Sequence, residues 1–211
     1  MTTAPHEGFR DPTDLTRTTK ALLYANIPLI LVAVAASARD YWWLSNRGEA
    51  APPLAGLLES LAGLSVALTG LLMVATSVSV LMWIHRANYN AHQLGATGMK
   101  FTPGWAVGWY FIPIAMFWKP YQAMKEICQA SFNPRRWWDE ERPALLPAWW
   151  ALWLLTNGAE GASWSVSTEV AESASSLARQ SLAIPLILVL VSIINQVHRM
   201  QMANYRTQGG E

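Results

Sequence analysis

Three of the four histidines stand where ligand chemistry is worth weighing. His85 and His92 are seven residues apart and share a face if their segment is helical, while His85 and His198 each close an apolar stretch. Two imidazoles at matching helix ends are a ligand set for haem; the plainer alternative is a polar side chain at headgroup level. Asp139-Glu140-Glu141 are consecutive carboxylates ahead of Pro143, which reads as a solvated helix start with acids at its positive end rather than a metal site. A third group combines cations with amides: Arg86, Asn88 and Asn90 with Lys100, Lys119 and Lys125. These residues suit an anionic headgroup or a protein partner beneath a membrane. No nucleophile motif, Gly-rich phosphate loop or paired-carboxylate site is present, so no catalytic residue is assigned. No metal site is assigned; the His85 and His198 pair is the outside alternative.

The elements that must position these groups are written in the composition. Only 14% of the 211 residues are charged and 52% are hydrophobic, against roughly 25% charged in soluble domains. Too few charges remain to coat a soluble surface. The mean hydropathy of +0.17 averages apolar blocks with a polar N-terminus and a Ser-rich stretch, so local windows decide. A net charge of +1 without a Lys/Arg cluster gives no case for nucleic acid. The lone Cys128 excludes an internal disulfide. Twelve Trp point to headgroup-level anchoring.

Residues 1–20 read as a polar, loosely held cytoplasmic tail. Four apolar stretches follow, at about 21–38, 61–84, 143–160 and 177–197, each of a length that spans a hydrocarbon core of roughly 30 Å. Ala36-Ser37-Ala38 has the form of a signal-peptide cleavage site, but the acidic leader before it and the length of the apolar run favour an uncleaved span. Gly63, Ala67 and Gly70 share a helix face that could admit a close neighbour. The second apolar helix is expected to stop at Gly95, with Gly98 and Pro103 as further breakers. Pro113 breaks the apolar segment 104–118, which is only about 22 Å long as a helix, and Pro120 opens an interfacial helix over 120–132 with Tyr121, Met124, Ile127 and Cys128 on its apolar face.

Charge selects the topology. If 104–118 is re-entrant or interfacial, Arg10, Arg17, Lys20, the seven Lys/Arg from Arg86 to Arg142, Arg199 and Arg206 share one side, leaving Arg39, Arg47 and Arg179 on the other. Cytoplasmic loops retain Lys and Arg, so the sequence predicts four spans with both termini inside; five spans, with 104–118 crossing, is the alternative. The expected fold is therefore all-α: a polytopic integral membrane protein of two helical hairpins flanking a short Pro-broken segment. Its single membrane domain covers 21–206, and 207–211 is a tail. A weak repeat agrees, because His85-Arg86 followed by Ala87-Asn88-Tyr89 is echoed by His198-Arg199 followed by Ala203-Asn204-Tyr205.

Over Trp83 to Ser131 the chain resembles the bacterial membrane family called domain of unknown function 4328. Arg86, Asn88, Asn90, Leu94-Gly95, Pro103-Gly104-Trp105, Phe111-Ile112-Pro113, Trp118 to Met124 and Glu126 to Ser131 carry the resemblance, with Trp149-Trp150 and Trp153 further on. Met116 stands where the family often has Asn, and Cys128 where it often has Trp. The resemblance implies residence in a bacterial inner membrane and no particular reaction.

Three classes of function fit these features. An interaction or regulatory membrane module with a basic cytoplasmic face comes first, with the lipid bilayer and a membrane or cytoplasmic protein as partners. A small transporter or channel built on 104–118 is second, weakened by the scarcity of charge within the spans. A haem- or quinone-binding redox protein is third. No cofactor is expected for the first class, and an enzyme is the less favoured outcome.

Overall fold

The computed structural model describes residues 8–46, 55–141, 143–163 and 168–209. Among them the chain forms six α-helices and three short 3-10 turns, with no strand. The helices are α1 (Thr13–Ser45), α2 (Ala55–Gln93), α3 (Pro103–Gly108), α4 (Lys119–Phe132), α5 (Leu145–Ser163) and α6 (Glu169–Gly209).

Three of these, α1, α6 and the part of α2 from Leu68 to Gln93, are long and apolar enough to cross a membrane, and at most 28% of the apolar window in each is buried within the protein. Large aliphatic side chains such as Leu31, Leu71 and Val74 stand exposed on them, far more apolar surface than a water-facing helix tolerates. The fourth expected span falls on α5, whose 19 residues give about 28 Å of helix. The loop at Pro52-Pro53, Arg47 and Arg142 lie outside the described residues, as do the side-chain surroundings of Gly63, Ala67 and Glu160. At Gly70 a Cβ would meet nothing within 4 Å among the described residues, so the close neighbour expected at this glycine is not found among them.

The chain divides into two compact units. The first comprises the residues up to Lys20, Ser77–Ala148 and Leu190 onward; the second comprises Ala21–Thr76 and Trp149–Val189. In the second unit, Asn26 Nδ2 donates to Thr76 Oγ1 at 2.9 Å and Ser37 Oγ donates to Gln180 Oε1 at 3.1 Å, joining segments far apart in sequence. Trp150 and Trp153 stack there with ring centroids 4.7 Å apart.

The first unit departs most from the sequence reading. Its N-terminal segment is not loosely held from Gly8 onward: α1 begins at Thr13, where the Asp11 carboxylate accepts the Thr13 N–H at 2.8 Å, and Thr16 and Thr19 are buried. Their hydroxyls explain the difference, since Trp83 Nε1 donates to Thr16 Oγ1 at 3.2 Å and Thr19 Oγ1 lies 2.7 Å from Ser79 Oγ. Its buried threonines are polar because they hydrogen-bond, while Asp14 and Arg17 remain exposed.

Helix α2 ends as expected at Gly95. With φ at +97°, a conformation glycine adopts without penalty, Gly95 donates to His92 O and Ala96 donates to Ala91 O, each at 3.1 Å. These paired bonds satisfy carbonyls the helix end would leave bare. Thr102 then caps α3, accepting from Trp105 N, with Pro103 in the first turn.

The stretch 104–118 is no single helix. After α3 and the turn Trp109–Phe111, Ile114 takes φ +68° and ψ −56°, and Ala115 N donates to Pro113 O at 2.8 Å. This is a γ-turn of the rare positive-φ hand, placed immediately after Pro113. Helix α4 then starts with Pro120 in its first turn. Far from resting one face on a surface, α4 buries nine residues from Pro120 to Ser131, including Glu126 and Gln129 from its polar side. Loop backbone accounts for the buried polar side, since it donates to Glu126 and accepts from Gln129.

Candidate functional site

The densest polar chemistry lies in the first unit, around two amide-rich helix segments and the loop 96–102. Asn88, fully buried, donates through Nδ2 to Phe101 O at 3.1 Å, and His92 Nε2 lies 3.4 Å from the same oxygen. From α4, Glu126 Oε2 accepts both the Lys100 N–H at 3.0 Å and the Phe101 N–H at 3.3 Å. One dipeptide is thus gripped from both sides. Burial raises the Glu126 carboxyl above its ordinary value, while the backbone bonds from Phe101 and Lys100 and the charges of Lys100 and Lys125 oppose the shift.

Asn90 performs a second clamping task. Its Oδ1 accepts the Arg10 N–H at 3.1 Å and its Nδ2 donates to Arg10 O at 2.8 Å. A side-chain amide pairing with both groups of one residue fixes the register of the N-terminal segment much as a strand partner would. The repeat seen in the sequence acquires a structural meaning here. Asn88 donates to Phe101 O and Asn204 donates to Ser131 O at 2.8 Å, while Tyr89 lies under the Arg10 guanidinium at 4.7 Å and Tyr205 stacks on Phe9 at 4.3 Å. Each copy of Ala-Asn-Tyr uses its Asn to hold a backbone carbonyl of the central region and its Tyr to hold the N-terminal segment. Gln201 adds bonds of 2.8 Å to Ala87 O and 2.9 Å to Ser131 Oγ.

The sequence-derived candidates therefore separate. Asn90 spends both ends of its amide on backbone, whereas Asn88 spends its Nδ2 there and leaves a buried Oδ1 without a hydrogen-bond partner among the described residues. Lys119 sits 5.7 Å from the Phe101 ring and 5.3 Å from the Trp109 ring; Lys100 is exposed beside the loop. Lys125, half-buried on α4, adds its charge near Glu126. Arg86 instead joins Arg10, His85 and Tyr89 around a cavity of about 350 Å³. The two histidines considered for haem line different cavities: His85 that one, and His198 another of about 340 Å³ with Thr13, Arg199 and Arg206. Asp139, Glu140 and Glu141 edge a third cavity with Cys128, Gln129 and Met200. Glu140 is structural, its carboxylate accepting from Asn133 Nδ2 at 3.0 Å and its carbonyl from Gln129 Nε2. Among the described residues no group of three His, Cys, Asp or Glu side chains is placed to hold a metal.

Gln201 was not singled out from the sequence, and Arg10, Glu126 and Asn204 entered only through the charge count, the family resemblance and the repeat, without a role at a site. Glu126 did carry a signal, being the sole acid between Glu59 and Asp139. Arg10 carried none.

Among the described residues the chain is helical, and three of its helices are long and apolar enough to span a bilayer. The chain belongs to the family described as Domain of unknown function (DUF4328), whose model matches residues 46–202. No curated protein and no solved structure matches the chain. The matched region contains the first Ala-Asn-Tyr segment, stops just before Ala203-Asn204-Tyr205, and leaves Arg10 and α1 outside.

Proposed function

We propose that the protein is an integral membrane interaction module of a bacterial inner membrane, with four spans, both termini cytoplasmic and a basic cytoplasmic face that engages membrane lipid and a membrane or cytoplasmic protein. One observation carries this reading. Of the 15 Lys and Arg residues, only Arg39, Arg47 and Arg179 fall in the second compact unit; all others belong to the first. The segments that fold together are those that the retention of Lys and Arg keeps in the cytoplasm. The γ-turn after Pro113 supports the same topology, because a segment so broken offers no continuous helix to cross lipid.

Cysteine reporters test the topology. Ser45 at the end of α1 and Glu141 before α5 are both exposed, and neither substitution changes the Lys/Arg pattern. In sealed cells a membrane-impermeant maleimide should label Ser45→Cys and spare Glu141→Cys until the membrane is opened. Labelling of Glu141→Cys in sealed cells would mean that 104–118 crosses. Purified protein in liposomes should add no solute or ion leak; a saturable flux would favour the transporter class.

A further inference from the structure

We propose that the cavity between Arg10 and Arg86 is a binding site for one acidic glycerophospholipid, its phosphate held by the two guanidinium groups and its first chain carbons lying against α2. This deepens the reading above and rests on it, naming a lipid class for the basic face.

The cavity joins two chemistries that a phospholipid also joins. Two of its lining residues are cationic, Arg10 and Arg86, with His85 also in the lining, and they reach the cavity almost wholly through carbon, which leaves their polar heads at its rim. The surface of the cavity itself is apolar, with Leu15, Val78, Leu81 and Met82 supplying aliphatic carbon. Val78 and Met82 remain 51% and 55% exposed, so the apolar wall runs out of the cavity onto an open helix face on which an acyl chain can continue. A volume of about 350 Å³ lies at the low end of small-molecule sites, roughly 300–1,000 Å³. It accommodates a headgroup and the carbons next to it, not a whole lipid.

Charge favours an anionic lipid over a zwitterionic one. Among the described residues no Asp or Glu lines the cavity, and neither Arg10 nor Arg86 forms an ion pair. The nearest acid in sequence, Asp11, turns its carboxylate to Thr13 and offers Arg86 only its carbonyl, at 3.5 Å. A choline ammonium would need a carboxylate or an open aromatic face, and the Tyr89 face already carries Arg10. The guanidinium fork, by contrast, matches phosphate oxygens in pairs.

Arg10 is also positioned in advance. Asn90 holds its backbone at both N–H and C=O, and Tyr89 supports its side chain. Little ordering is left for the lipid to impose, which raises affinity without further contacts.

Native mass spectrometry of the full chain in a neutral detergent provides the test, with graded dioleoyl phosphatidylglycerol or dioleoyl phosphatidylcholine. The expected result is one phosphatidylglycerol bound with a preference of about tenfold or more, set by repulsion between the choline ammonium and the two guanidinium groups, since both lipids carry the phosphate. The Arg10→Ala/Arg86→Ala double variant should bring the two lipids close to parity, whereas Arg17→Ala should keep the preference. Equal binding of both lipids to the unaltered protein, or an undiminished preference in the double variant, overturns the proposal. Competition by sn-glycerol 3-phosphate at the lipid's own concentration would assign the site to a soluble phosphoryl compound and overturn it as well. The lipid comparison on the unaltered protein needs no variant, so it decides even if the double variant fails to fold. It is carried out in detergent and is independent of the cysteine reporters, so failure here is separable from failure of the four-span topology.

Discussion

Asn90 and Arg10, eighty residues apart, are joined through both the donor and the acceptor of one side-chain amide, at 2.8 and 3.1 Å. This pair sets where the N-terminal segment lies and carries Arg10 to the cavity it shares with Arg86. Asn90→Ala removes both bonds and is expected to cost about 2 kcal/mol, the sum of two ordinary hydrogen bonds. Asn90→Asp keeps an acceptor for the Arg10 N–H but cannot donate to its carbonyl, so its loss should be comparable or larger. Thermal unfolding in detergent measures the stability, and faster proteolysis before Thr13 reports release of the segment.

Glu126 governs the loop on the other side of Asn88. Glu126→Ala strands the Lys100 and Phe101 N–H groups and is expected to destabilise by about 1–3 kcal/mol. Glu126→Gln retains an acceptor without a buried charge and should unfold at or above the wild-type temperature at neutral pH. The pH dependence follows from the raised carboxyl. Because the folded state holds its proton more tightly than the unfolded chain, the stability from this group is full below the unfolded value. It is lost as pH rises through the folded value, and then levels off. Unfolding temperatures across that range should show this fall in the wild type and not in Glu126→Gln; equal slopes would refute the assignment.

The two Ala-Asn-Tyr segments should fail in parallel. Asn88→Ala frees Phe101 O and Asn204→Ala frees Ser131 O, each about 1–3 kcal/mol if the carbonyl is left unpaired. Tyr205→Ala removes the stack on Phe9, worth about 1 kcal/mol beyond burial. The discriminating measurement is amide exchange: Asn88→Ala should expose the loop near Phe101, and Asn204→Ala the end of α4.

Cys128 is 2% exposed and burial pushes its thiol up to about 12. At neutral pH almost no thiolate is present, so a maleimide should leave it untouched in folded protein on either side of the membrane. Labelling should appear only on unfolding in denaturant. Rapid reaction in detergent-solubilised native protein would show that α4 is not enclosed as described.

Ile114 holds a backbone conformation that β-branched residues avoid. Glycine adopts it freely, so Ile114→Gly is expected to leave the turn intact and to stabilise by up to about 1 kcal/mol through relief of strain. A clear loss of stability in the detergent melt would show that the exposed Ile114 side chain contributes more than the turn costs.

What the sequence determined by itself is local. Apolar runs without charge specify helices long enough for a bilayer, Gly95 stops α2 because it alone relieves a left-handed backbone there, and Pro113 breaks the central stretch because it carries no N–H. The uneven distribution of Lys and Arg over the chain was also legible, since it needs only counting. The tertiary structure decided which polar residues became clamps. Asn90, Glu126 and Gln201 find their partners 80, 25 or 26, and 114 or 70 residues away, and no periodicity within a segment encodes a bond across such distances. The enclosure of α4 was hidden for the same reason. Its pattern described an amphipathic helix, but loop backbone supplied donors and acceptors to its polar face, and a buried polar side chain that is hydrogen-bonded is indistinguishable in sequence from one facing water.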